Sequence, residues 1–192
     1  MIEPGEMAAI LLAAGRSERF GADDKLLADL GGKPLALHAA SMLAGLGAGQ
    51  LIAVCRSANG ALAQALGAMG FAIVVNPQPE RGLSTSLACG VEQASRSSAR
   101  AALLCLADMP FVTAAHIAQL TARWDEVSAP VVASTNGDAA MPPAIFARAK
   151  FAQLQSGGGD RGGRGLIAGA PLVEASTKEL TDIDRPRDMP AR

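Results

Sequence analysis

The stretch Ala8 to Lys25, AAILLAAGRSERFGADDK, limits what this chain can fold into more than any other. It opens with a run of small or aliphatic residues, Ala8 to Ala14, that stops at Gly15. So short an apolar run, closed by glycine, reads as a strand buried on both faces, and such strands belong to parallel sheets covered by helices. In open α/β sheets the ligand sits against loops that leave the carboxyl ends of strands. The loop opened by Gly15 is one of these. Gly15 and Gly21 permit close approach of backbone to ligand, because glycine has no Cβ. Arg16, Arg19 and Lys25 bring positive charge and donors that suit phosphate oxygens. The spacing is neither the P-loop, which needs Gly-Lys-Ser/Thr separated from its first glycine by four residues, nor the Gly-x-Gly-x-x-Gly dinucleotide fingerprint.

The rest of the chain alternates in the same style. Leu30-Gly-Gly-Lys-Pro34 predicts a turn with Pro34 opening a helix, in which Leu35, His38, Ala39, Met42, Leu43 and Leu46 recur at helical spacing. A strand is expected at Leu51–Cys55, a helix from about Gly60 to Met69, and a strand at Phe71–Val75. A helix N-capped by Ser84 should run through Val91, followed by a strand at Ala101–Ala107. Thr113 should cap a helix to about Trp124. Pro130–Ser134 reads as a strand and Asn136-Gly137-Asp138 as a tight turn. Phe146–Leu154 is expected to be a short helix, and Ser156–Arg164 a glycine-rich loop. The alternation makes the class α/β with a parallel sheet. A length of 192 residues suits one domain, 1–192, with a full core.

Composition excludes several functions. Basic and acidic residues number 17 and 18, so non-specific nucleic-acid binding is not expected and any phosphate site must be a local cluster. Cys55, Cys89 and Cys105 are scattered, with no disulfide frame or Cys-x-x-Cys metal spacing. Cys55 and Cys105 lie in apolar runs and read as core thiols. No leader and no apolar run of membrane-span length is seen, which predicts a soluble cytoplasmic protein. His38 and His116 read as solvated or partly packed side chains, and no Gly-x-Ser-x-Gly nucleophile elbow occurs. Asp108 stands at the mouth of a buried strand, where a carboxylate can hold Mg²⁺ together with substrate phosphates. Asp182 and Asp184 alternate in an extended segment and so point to one side.

Leu12-Ala-Ala-Gly-x-Ser-x-Arg-Phe-Gly21 followed by Lys25 resembles the first motif of the MobA/MocA-like NTP transferases, the nucleotidylyltransferases of the molybdenum cofactor. Asn76-Pro77 with Gly82-Leu-x-x-Ser86-Leu is similar to their second motif, and Leu106-Ala-Asp108-Met-Pro to their third. Gly159-Asp160-Arg-Gly-Gly-Arg164 resembles their Gly-Asp-x-Gly-x-Arg segment, and Asp182-Ile-Asp184-Arg-Pro186 their terminal motif. The resemblance implies that Met141 to Phe146 form a return strand and turn beside the acceptor, but Met141 stands about where the family's Gly-x-Pro-x-x-Phe has its glycine, so acceptor recognition departs from the pattern there. The resemblance implies a three-layer α/β/α sandwich with a Rossmann-like, mostly parallel sheet. It implies nucleotide binding by Leu12, Ala13, Ala14, Gly15, Arg16, Ser17, Arg19, Lys25, Asn76, Gly82 and Ser86, with Arg19 and Lys25 catalytic. It implies Mg²⁺ on Asp108 and Asp184, and acceptor contacts from Asp160 and Arg164.

The activity so implied is Mg²⁺-dependent transfer of a nucleotidyl group to a phosphorylated acceptor with release of pyrophosphate. Such chemistry needs charge neutralisation and in-line alignment rather than acid–base histidines. Ala14, where a guanylyl enzyme usually has glycine, points to CTP as donor, and molybdopterin is the expected acceptor. A molybdoenzyme or its chaperone is the expected partner, and the chain is expected to be a monomer. The alternatives are guanylyl transfer, a sugar- or polyol-phosphate acceptor, a nicotinamide-dependent reductase on the same scaffold, and a non-catalytic cofactor binder.

Overall fold

A computed structural model describes residues 2–15, 20, 24–156 and 162–189. Strand β1 (Met7–Ala13) is followed by a small hairpin of β2 (Asp29–Leu30) and β3 (Lys33–Pro34). Its turn holds Gly31 at φ 64° and Gly32 at φ 86°, two left-handed residues in a row, as a tight two-residue hairpin requires. Then come α1 (Leu35–Ala44), β4 (Gln50–Cys55), α2 (Ala61–Ala68), β5 (Ala72–Val75) and α3 (Leu83–Ser95). The chain continues through β6 (Ala101–Leu106), α4 (Ala114–Arg123), β7 (Val131–Thr135) and β8 (Ala140–Ala147). It closes with α5 (Phe151–Ser156), α6 (Gly162–Ile167) and β9 (Leu172–Glu174).

Seven of these strands form one sheet in the order β5-β4-β1-β6-β8-β7-β9. β1 lies parallel between β4 and β6, with Ile10 opposite both Ile52 and Leu104. Every residue of β1 is buried, as its unbroken apolar run requires. Alternation along the strand divides the core in two. Met7, Ala9, Leu11 and Ala13 join the cluster under α1, α2 and α4. Ala8, Ile10, Leu12 and Ala14 join the cluster under α3, α5 and α6. The result is the three-layer, mostly parallel sandwich expected. On the second face α3 approaches so closely that a Cβ on Gly90 would meet Ile10 Cγ2 at 2.6 Å. Only a residue without a side chain fits there.

The structure corrects two local expectations, the start of the helix after β8 and the cap of α3, and adds two details of the sheet. β8 is antiparallel to both β6 and β7, because the link from β7 to β8 is too short for a crossover and must turn back as a hairpin. β8 also runs through Phe146 and Ala147. Phe146 sits opposite Ala102 and Val131 in the sheet, and the helix starts only at Phe151. Ser84 does not cap α3. The cap position is Gly82, at φ 94°, and Ser84 is buried within the first turn. β9 pairs in parallel with β7 at the sheet edge, a short strand that no sequence signal marked. Among the described residues no helix is long and apolar enough to cross a membrane.

Candidate functional site

The chain leaves β1 outward to β4 and β5, then returns to the other side of β1 as β6. That reversal opens a crevice at the carboxyl ends of β1 and β6, where α/β sheets hold ligands. A cavity of about 460 Å³ lies there. Leu12, Ala14 and Gly15 line it from the end of β1, Gly82 and Ser86 from the start of α3, and Lys25, Asp108 and Asp184 from three separate loops. Alternation sends Ala13 to the opposite face, where it borders a second cavity of about 430 Å³ with Asp24, Cys55 and Arg56. Ala13 is therefore placed away from the other motif residues.

Lys25 begins a single 3₁₀ turn, Lys25–Leu27, whose cap is Asp24. Asp24 Oδ1 accepts a hydrogen bond from the Leu26 amide at 3.1 Å, and Asp24 Oδ2 accepts one from Arg56 Nη2 at 2.6 Å. The turn thereby directs Asp24 outward and Lys25 inward. The Lys25 ammonium donates to Asp108 Oδ2 at 2.8 Å and to Asp184 Oδ1 at 2.9 Å. Its side chain is only 7 % exposed, whereas the two carboxylates are 22 % and 37 % exposed. Burial alone would depress the Lys25 pKa. The charges and hydrogen bonds of Asp108 and Asp184 outweigh that and hold it above the usual lysine value.

Backbone bonds bring the two aspartates together. The Ile183 amide donates to the Asp108 carbonyl at 2.9 Å, and the Ile183 side chain is fully buried. This pins the last loop onto the end of β6. Asp188 Oδ2 then accepts from the Arg185 amide at 2.7 Å and the Asp184 amide at 3.2 Å, closing the turn. Asp182 lies close by. Burial, reinforced by the charges of Asp108 and Asp184, pushes its carboxyl pKa up.

Asn76 does not line the cavity. It is 1 % exposed, and its amide is occupied on both sides. Nδ2 donates to Thr85 Oγ1 and Ser86 Oγ, both at 2.9 Å, and Oδ1 accepts from the Gln78 amide at 2.9 Å. Asn76 ties the loop after β5 to the first turn of α3, and so aims Gly82 and Ser86 at the cavity. Leu26, Pro79, Glu80, Leu83 and Leu106 also line the cavity and were not anticipated. The one usable signal was alternation, which puts Leu106 two residues before Asp108.

Arg16, Ser17, Arg19 and Asp160 lie outside the described residues, and so does the side chain of Arg164. His116 is more deeply buried than expected, at 2 % exposure. Ser134 Oγ donates to the Pro143 carbonyl at 2.7 Å, so it must accept its other bond from His116 Nε2–H, also at 2.7 Å. Burial lowers the His116 pKa, partly offset by the charge of Glu179. His38 Nε2 is 2.9 Å from the Leu30 carbonyl. Neither histidine lines the cavity. Burial pushes the Cys55 thiol up to about 11 and the Cys105 thiol to about 12, as inert core thiols.

The donor set suits a hard divalent ion. Asp108 and Asp184 offer carboxylate oxygens within reach of one ammonium, beside open space for water or phosphate oxygens. Mg²⁺ is held in this manner, by one or two carboxylates plus substrate phosphates. Among the described residues no group of three His, Cys, Asp or Glu forms an all-protein cage.

The chain is 29 % identical over 193 residues to the purine catabolism protein PucB of Bacillus subtilis (strain 168), covering 93 % of this chain and 92 % of that protein. It superposes on a nucleotidyl transferase from Methanothermobacter thermautotroptrophicus with a TM-score of 0.78 at 24 % identity, covering 95 % of this chain and 93 % of that one. A Mycobacterium tuberculosis H37Rv protein, Rv0371C, in complex with manganese matches at a TM-score of 0.68 and 22 % identity, covering 96 % and 93 %. At those identities the two structures establish the fold alone. The model of the MobA-like NTP transferase domain matches residues 9–178, and with that match over most of its length the chain belongs to the MobA-like family of nucleotidyltransferases.

Proposed function

We propose that the cavity binds a nucleoside triphosphate, with CTP the preferred donor, and transfers its nucleotidyl group to a terminal phosphate of an acceptor of the molybdopterin type. The observation that carries this is the convergence of Lys25, Asp108 and Asp184 beside Gly15 at the mouth of the crevice. An acceptor phosphate oxygen bonds to the α-phosphorus, the bond from that phosphorus to the bridging oxygen breaks, and pyrophosphate leaves with the electron pair. Asp108 and Asp184 would hold a divalent ion, Mg²⁺ by choice of donors, which when bound neutralises charge on the reacting phosphates. The manganese complex of the mycobacterial fold neighbour is in keeping with an ion of this class. Lys25 supplies positive charge to the triphosphate, Gly15 and Gly82 give the backbone access to it, and Ser86 stands beside the nucleoside. Arg19 shares the cationic role, and Asp160 and Arg164 take the acceptor side. The CTP preference rests on Ala14, and the acceptor on the family resemblance.

The test is pyrophosphate release measured with each of the four nucleoside triphosphates and Mg²⁺, with and without molybdopterin. Release with CTP that depends on molybdopterin is the expected result. Release only with GTP would move the donor, and release only with a sugar or polyol phosphate would move the acceptor. No release with any combination would defeat the proposal.

A further inference from the structure

We propose that the Lys25 ammonium is a built-in competitor for the divalent ion, holding the Asp108–Asp184 pair shut until a triphosphate draws it away. The proposal rests on the metal-site reading above and goes beyond it. One ammonium already bridges one oxygen from each carboxylate, at 2.8 and 2.9 Å. A divalent ion bound to the same oxygens would lie about 2.0–2.1 Å from them, in direct repulsion with the ammonium across a few ångströms of largely buried space. The two cations therefore exclude each other. Lys25 is replaceable because it is a point charge on a long flexible stem, with no fixed fork to break.

The cavity that Lys25 lines is the natural place for the displaced ammonium. Displaced there, it loses both carboxylate partners, so the bare protein resists metal. A bound triphosphate offers new anionic oxygens and removes that loss. Nucleotide and metal thus favour each other's binding, and by linkage the coupling is reciprocal.

Lys25→Met keeps the length of the side chain and removes its charge. Mn²⁺ binding without nucleotide, followed by the electron paramagnetic resonance of free Mn²⁺, should be at least about tenfold tighter in folded Lys25→Met than in wild type. Equal or weaker binding by the variant would overturn the inference. Wild type gives a second readout in the nuclear magnetic resonance of its ¹³Cε-labelled lysines, of which there are only Lys25, Lys33, Lys150 and Lys178. The Lys25 signal, identified by its loss in Lys25→Arg, should move as Mg²⁺ saturates the protein. A signal that stays fixed at saturation also counts against it. The doubly substituted Asp108→Asn, Asp184→Asn protein separates the two levels. If it binds Mn²⁺ as well as Lys25→Met does, the metal-site reading itself fails. If it loses Mn²⁺ while Lys25→Met shows no gain, only the competitor inference fails.

Discussion

Asp24 and Lys25 are neighbours in the chain, yet they serve opposite faces of β1. Asp24 borders the second cavity and pairs with Arg56, both partly open to water at 26 % and 38 % exposure. Lys25 borders the first cavity, nearly buried, between two carboxylates. Each region holds an ion pair at the carboxyl edge of the sheet, and the pairs differ chiefly in access to water. Solvent screens the exposed pair and leaves it worth little. The buried ammonium is a different case, because its removal leaves like charges facing one another in poorly solvated space.

The contrast can be broken in several ways. Lys25→Ala should reduce turnover on the order of 10²-fold or more, as loss of a positioned charge-stabilising group does, with the fold kept. It should also lower stability without metal by roughly 2 kcal/mol, less than for a fully buried pair because both carboxylates retain some water. Millimolar Mg²⁺ should restore most of that loss. Circular dichroism melts and pyrophosphate release check both, and near-normal turnover would remove Lys25 from the mechanism. Asn76→Ala should cost about 1–3 kcal/mol, since it leaves the buried Ser86 oxygen and the half-buried Thr85 oxygen without that donor and the Gln78 amide without an acceptor. Denaturant titration measures this, and a cost below about 0.5 kcal/mol would show that the loop is not held by that amide.

Arg56→Ala should change stability by no more than about 0.5 kcal/mol, with the difference vanishing in 1 M salt. Turnover should stay within about twofold of wild type, because Arg56 lies on the far side of β1. A large activity loss would mean that the second cavity belongs to the site. The smallest effect concerns His116. Burial holds its folded pKa below the ordinary 6.5, so the unfolded chain binds the extra proton. Stability should then decline as pH falls below about 6.5 through the folded value. Replacing His116 with Gln should flatten that slope, whatever it does to stability at neutral pH, and an unchanged slope would show that His116 is not the group responsible.

Much of this molecule is legible in one dimension. An uninterrupted apolar run can satisfy its backbone and side chains only inside a covered parallel sheet, so β1 and β6 announced themselves, and with them the loop at Gly15 and the carboxylate at Asp108. The α1 helix followed from its spacing and from Pro34. The antiparallel course of β8 was foreshadowed by the tight turn at 136–138, but its extension through Ala147 was hidden because Phe146 suits a strand end and a helix start alike. β9 was hidden because three edge residues carry no period. Asn76 was misplaced for a related reason. An asparagine at a strand mouth suits a ligand and a loop clamp equally well, and only its occupied amide tells them apart.

The sequence alone determined most strands of the sheet, the loop at Gly15 and the residues whose charges could handle a polyphosphate. Tertiary structure decided that Lys25 rests between Asp108 and Asp184, partners 83 and 159 residues away along the chain. Local pattern reports only whether a residue suits an inward or outward position. It holds no distance between loops, and here that distance was set by the 3₁₀ turn under Asp24 and by the bond from the Ile183 amide to the Asp108 carbonyl.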